Sequence, residues 1–278
     1  MGGGGKIHAG ESDMITDETI EFAYTWFSTG VRHIENQSMN LGLAYLDKST
    51  AVFSEIGDER MLTYSRHYKM LGLKLDERFE EAQSLFADIM AGYQRLDEEY
   101  GKALALTHLG ECVRGQGQQA RAIGHFHLAT FIADHSELND LLDYIHSQYA
   151  LACLDLEDLY HAAKLLQRAE ALAESRGRHD DLNRHLQLRA EIMVRMGEVA
   201  EATMLLEDVK NRLFKQERFT EAVEPLNWLR HLYERSGMVE DVNRTKEMLH
   251  MCGQLVLQQE STTRGTWYIG PPISQRAA

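Results

Sequence analysis

Proline is scarce: three residues in 278, Pro225, Pro271 and Pro272. From residue 17 to 224 nothing locks φ or removes a backbone donor, so long helices can run there. The same scarcity argues against a β-sandwich with its many turns. Cysteine is as thin. Cys112, Cys153 and Cys252 are odd in number and widely spaced, without a CxxC pair, which excludes a disulfide scaffold or zinc finger and fits a reducing compartment. Positive charge is in deficit, with 29 Lys and Arg against 43 Asp and Glu and a net charge of -14. Such a chain repels phosphate backbones, and no basic cluster compensates locally, so nucleic acid is not an expected partner. No apolar run approaches the ~18 residues of a membrane span. The leading MGGGGKIHAGESD has no signal-peptide core and carries Lys6 where myristoylation requires Ser or Thr. These absences predict a soluble, cytoplasmic protein without a membrane partner. P-loop, G-x-S-x-G, H-E-x-x-H and dinucleotide-binding glycine patterns are missing too, so neither enzymatic activity nor a cofactor is expected.

What the chain does contain is a repeat. In residues 106–126, Leu106, Leu109, Gly110 and Val113 precede Ala122 and Phe126, with Ala129 three residues on. Steps of 40 residues give the columns Gly42, Ala82, Ala122, Ala162, Ala202, Val242 and Leu46, Phe86, Phe126, Leu166, Leu206, Lys246. The columns of Gly110 (Gly30, Met70, Gly110, Ala150, Ala190, Arg230) and Ala129 (Ser49, Ile89, Ala129, Ala169, Val209, Leu249) keep the same register. Alanine is roughly a tenth of the chain, so four alanines at one fixed step have odds near ~10⁻⁴ per register. Small residues let two antiparallel helices cross closely, and bulky residues three or four positions away fill the flanks. A turn column, Gln37, Glu77, Gly117, Glu157, Gly197, Gly237, suits left-handed helix C-caps. Six helix pairs are expected over roughly residues 23–262. The division expected is a flexible segment 1–16, a helical repeat domain 17–260 and a tail 261–278.

These columns resemble the tetratricopeptide-repeat family in a 40-residue form. Segments 53–72 and 100–117 are similar to arrays of bacterial signalling and regulatory proteins, among them the sensor regions of maltose-activator-like regulators and the Rap-type quorum regulators. The resemblance implies an all-α, right-handed α-solenoid of about six helix pairs. It implies a protein- or peptide-binding scaffold or adaptor, or alternatively a sensor whose superhelix changes shape on binding a peptide.

Other candidates for chemistry are weaker. His108 and Cys112 lie four apart on one helix, but two ligands do not make a zinc site. His125 and His127, two apart, point to different faces and read as surface histidines. Asp180 and Asp181 read as an N-terminal helix cap.

In a helix-pair array the first helix of each pair lines the concave face. The residues expected to face inward there are Tyr64, His67, Lys74, Thr107, Glu111 and Arg114. Further on come Tyr144, Ser147, Gln148, Arg184, Gln187, Glu191 and Arg195, and last Asn227, Trp228, His231 and Arg235. Gln148, Gln187 and Asn227 recur near the repeat step, and amides can bond both N–H and C=O of an extended peptide. Arg114, Arg184, Arg195 and Arg235 suggest selection of an acidic segment or a C-terminal carboxylate.

The last helix, about 239–258, carries two apolar stripes: Val242, Leu249, Cys252, Val256 and, about 115° away, Met248, Met251, Leu255. The second stripe calls for a cover. Trp267, Tyr268 and Ile269 folding back, or a homodimer through this helix, would supply one.

Overall fold

The computed structural model of the protein describes residues 16–259. Among the described residues every regular element is a helix. The chain divides between Leu96 and Asp97 into two compact units. The first holds α1 (Asp17–Glu35), α2 (Met39–Ile56), α3 (Glu59–Leu75), α4 (Phe79–Ser84) and α5 (Phe86–Leu96). The second holds α6 (Glu99–Gly115), α7 (Gln119–His135), α8 (Asn139–Asp155), α9 (Leu159–Ser175), α10 (His179–Met196), α11 (Val199–Lys215), α12 (Phe219–Arg235) and α13 (Val239–Gln259). Within each unit a helix packs on its neighbours in sequence, because connections of two or three residues leave only an antiparallel return.

The turns keep a finer rhythm than the 40-residue columns. Each junction holds one residue with φ between 54° and 86°, and these stand at 37, 57, 77 and onward every 20 residues to 237. The next residue closes the helix by donating its N–H to a carbonyl five residues back, as Arg78 does to Leu73 (2.9 Å), Gln118 to Val113 (3.1 Å) and Arg218 to Leu213 (2.9 Å). This is the Schellman closure. Only five of these positions are glycine; Gln37, Glu77, Asp97, Glu137, Glu157 and Glu217 take the left-handed conformation despite their Cβ.

The small-residue columns sit where helices cross. Ala82, Ala122, Ala162 and Ala202 are completely buried. At Gly110 an added Cβ would stand 2.6 Å from the Phe126 ring, and at Gly30 it would stand 2.9 Å from Leu46. Each glycine thus receives the bulky residue sixteen positions later. Met70 occupies the same column in the second pair and is fully buried. There the second helix is split at Leu85 into α4 and α5, and Phe86 is only half-buried. The bulk of Met70 fills the space that glycine leaves for Leu46 and Phe126, so five second helices run through and one is broken.

In α13 the first stripe turns inward, with Cys252 fully buried and Val242 nearly so. On the second stripe Met248 and Leu255 are half-buried, Met248 against the core around Leu213 and Leu226, while Met251 is 41% exposed. Trp267, Tyr268 and Ile269 lie outside the described residues, as do the N-terminal segment and the side chain of Val256.

Candidate functional site

The first helices of the last three pairs, α8, α10 and α12, present one face made of columns at the 40-residue step. These read Tyr144, Arg184, Glu224; Ser147, Gln187, Asn227; Gln148, Leu188, Trp228; and Leu151, Glu191, His231. The glutamine ladder is therefore split: Gln187 and Asn227 continue the Ser147 column, whereas Gln148 belongs to the next one, above Leu188 and Trp228. A cavity of about 280 Å³ is lined by Tyr144, Ser147, Gln148 and Leu151 of α8 and by Arg184, Gln187, Leu188 and Glu191 of α10. Glu224 and Trp228 of α12, Leu206 of α11, and Asp143, Asp181 and His185 complete it. A second depression follows on α12, where Thr220, Val223, Asn227 and His231 share Glu224 and Trp228 with the cavity.

Its inner wall is polar and dry. Asp143 is 1% exposed, and its Oδ1 takes an ion pair from Arg178 and the Tyr144 N–H at 2.8 Å. Arg178, in the turn before α10, also donates to the Asp140 carbonyl at 3.2 Å and lies 3.9 Å from Asp181. Arg184 approaches the other oxygen of Asp181 at 3.8 Å. The Asp180–Asp181 pair is thus not the helix cap. Arg178 holds the cap position, and Asp181 sits in the first turn, where its carboxylate turns inward to the two arginines. Burial raises the pKa of both Asp143 and Asp181 in spite of those arginines. His185 and His146 have pKa values lowered to about 4, chiefly by burial and then by neighbouring arginines, so both are neutral at pH 7. The buried Nδ1 of His185 and Oδ2 of Asp143 make no hydrogen bond.

Of the residues expected to face inward, Tyr144, Ser147, Gln148, Arg184, Gln187, Glu191 and Trp228 meet in the cavity, and Asn227 and His231 lie in the adjoining depression. Glu111 stands beside it, accepting the Tyr144 hydroxyl at 2.8 Å. Arg114 pairs with Asp155 at 3.3 Å and Arg195 with Glu157, both away from the cavity, and Arg235 is exposed at the end of α12. Thr107 is fully buried and donates to the Ala103 carbonyl at 2.8 Å. In the first unit, Tyr64, His67 and Lys74 are interior: His67 shares a 2.7 Å hydrogen bond with the Tyr93 hydroxyl, and the Tyr64 ring lies 6.2 Å from that of Tyr93. These side chains serve the core of α3 and α5.

Reading missed Asp143, Asp181 as a lining residue, His185 and Glu224. Glu224 was within reach, since it stands two steps of 40 beyond Tyr144. The aspartate and histidine had no signal, because their columns hold Asn183, Val223, Ile145 and Pro225 elsewhere. His108 and Cys112 are both buried, and among the described residues no group of three His, Cys, Asp or Glu is placed to hold a metal. His125 is half-buried and His127 exposed. No helix of the described residues is long and apolar enough to cross a membrane.

No family model and no curated protein matches the sequence. Solved structures do. The sensor-bearing signal transduction ATPase with numerous domains from Pyrococcus horikoshii, which carries a tetratricopeptide repeat sensor, superposes with a TM-score of 0.73 at 12% identity, over 89% of this chain and 38% of that one. The chain folds as a tetratricopeptide-repeat solenoid. Two further repeat structures agree. The quorum sensor NprR from B. thuringiensis gives 0.63 at 17% identity over 83% of this chain and 65% of that one. A Rap protein complexed with Competence and Sporulation Factor gives 0.60 at 14% identity, over 88% and 67%. In this tetratricopeptide array the cavity lies on first-helix faces, and the crossing columns are structural.

Proposed function

We propose that the protein is a non-enzymatic scaffold that holds a peptide segment along the first-helix faces of α8, α10 and α12. The observation that carries the reading is the Ser147, Gln187, Asn227 column, which brings three hydrogen-bonding side chains to one face beside the cavity. Such groups capture the backbone of an extended segment, and first-helix faces of helix-pair arrays are habitual binding surfaces. The likeness to a quorum sensor and to a Rap protein solved with its factor supports it.

The charge on the face weighs against an acidic ligand. Arg114, Arg184 and Arg195 all have carboxylates beside them, at Asp155, Asp181 and Glu157. The sensor alternative draws on Arg178, which ties α8 to α10 beside the cavity, so that a ligand there bears on the angle between two pairs.

Selection of a random peptide display library on the full chain tests the reading. Selected peptides should lose about tenfold or more in affinity on combined Gln187→Ala and Asn227→Ala substitution, two hydrogen bonds' worth, with the melting temperature within a few degrees. Peptides indifferent to these changes, or no selectable peptide, would contradict it. Small-angle scattering with and without a selected peptide separates adaptor from sensor, an unchanged profile meaning the former.

A further inference from the structure

The cavity is negatively charged beyond what its own arginines neutralise. Asp143, Asp181, Glu191 and Glu224 line it against Arg184 alone. Counting Arg178, which pairs with Asp143 from behind, the balance stays at two negative charges. Two buried acceptors are also spare. Asp143 spends one oxygen on Arg178 and the Tyr144 N–H, while its Oδ2 bonds to nothing, and the Nδ1 of neutral His185 is likewise unbonded. Both residues are at least nine-tenths buried and line the same space. An unbonded buried carboxylate oxygen is unfavourable until a donor reaches it. Beside these acceptors stand Leu188, Leu206 and the partly exposed ring of Trp228, an apolar wall with a π-face.

We infer that this cavity is a receptor for an organic cation on a short apolar stem, a guanidinium or primary ammonium that donates to Asp143 Oδ2 and His185 Nδ1 while its stem lies along Leu188, Leu206 and Trp228. This deepens the peptide-binding reading, on which it rests for the source of the cation: a basic side chain of the bound segment rather than a free amine. Burial already raises the pKa of Asp143 and Asp181, and a cation in contact with them would lower both again. The raised values, with two arginines close by, are those of carboxylates short of positive charge.

The test uses the full chain and four probes of one size: n-butylguanidinium, n-butylammonium, n-butanol and butyrate. Binding is followed at the Trp228 indole N–H by NMR, assigned with Trp228→Phe. The two cations should bind about tenfold or more tightly than the alcohol, as expected when a charge-assisted bond replaces a neutral one, and butyrate should not bind. Asp143→Asn should abolish the preference. Because that change also removes a partner of Arg178, the combined Glu191→Gln and Glu224→Gln variant, at less buried positions, provides a second reading and should weaken the cations several-fold while leaving butanol unchanged. Equal binding of alcohol and cation, preference for butyrate, or no perturbation of Trp228 by any probe would overturn the inference. Capped Ala-Arg-Ala against Ala-norleucine-Ala then identifies the source: a cation site that takes butylguanidinium but not the arginine peptide belongs to a free amine and overturns the side-chain assignment. Selected peptides that bind the groove without enrichment in Arg or Lys would overturn the cation receptor alone and leave the peptide reading standing.

Discussion

His67, His146 and His185 are imidazoles that the fold holds uncharged, with pKa values lowered to about 3, 4 and 4 mainly by burial. The unfolded chain protonates them near the usual 6.5. Between about pH 6.5 and 4 the unfolded state therefore binds more protons, and stability rises with pH in that window. Taking the protein from pH 7 to 5 should remove about 2 kcal/mol for each histidine, since each unit below 6.5 is worth about 1.4 kcal/mol. Asp143, Asp181 and Glu170 work in the opposite sense. Their raised folded pKa values mean they stabilise at low pH and lose that contribution as pH rises through those values, so they partly offset the loss. Denaturant melts at pH 7 and 5 check the net sign, and His185→Gln should flatten the slope by about a third. A pH-independent midpoint would mean that these rings are solvated. None of this was legible in the residues, because a histidine in a helical column looks the same whether it faces a core, a groove or solvent.

Helix pairs were far more legible. Four alanines at one step, glycine opposite Leu46 and Phe126, and bulky residues beside them specify a crossing by volume alone, and those residues are buried together. Ala122→Leu or Ala162→Leu should each destabilise by about 1–3 kcal/mol through overpacking, whereas a neutral result for both would place the crossing elsewhere. Less legible was the break at Leu85, which follows from one bulky residue, Met70, in a column otherwise small through Ala190. The 20-residue turn rhythm was hidden for another reason. The backbone demands a left-handed residue at every junction, yet six of these positions are filled by acidic or amide side chains, so glycine marked only some of the turns. That leaves an unused reserve of stability. Glu77→Gly and Glu217→Gly, at φ 57° in both cases, should each raise stability by about 0.5–1 kcal/mol, and Gly117→Ala at φ 76° should lower it by a similar amount. Thermal melts of the three variants decide it, and destabilisation by both Glu→Gly changes would mean those side chains hold their turns by contacts stronger than the strain.

At the level of the whole molecule, the columns that build the array and those that furnish its face share one 40-residue step but different side chains. Ala82 to Ala202 is nearly uniform, as packing requires. Tyr144, Arg184 and Glu224, or Leu151, Glu191 and His231, change character at each step, as a face that recognises one particular segment must. This is why the fold could be read from periodicity while the chemistry of the face could not. The direct measurement is an NMR shift map of the isotope-labelled full chain on titration with a selected peptide containing one arginine. The account predicts that the largest changes cluster on Ser147, Gln187, Asn227 and the Trp228 indole, with that arginine's guanidinium close to Asp143. Changes confined to second helices such as α7 and α9, or to α13, would contradict it and move the binding surface off the first-helix faces.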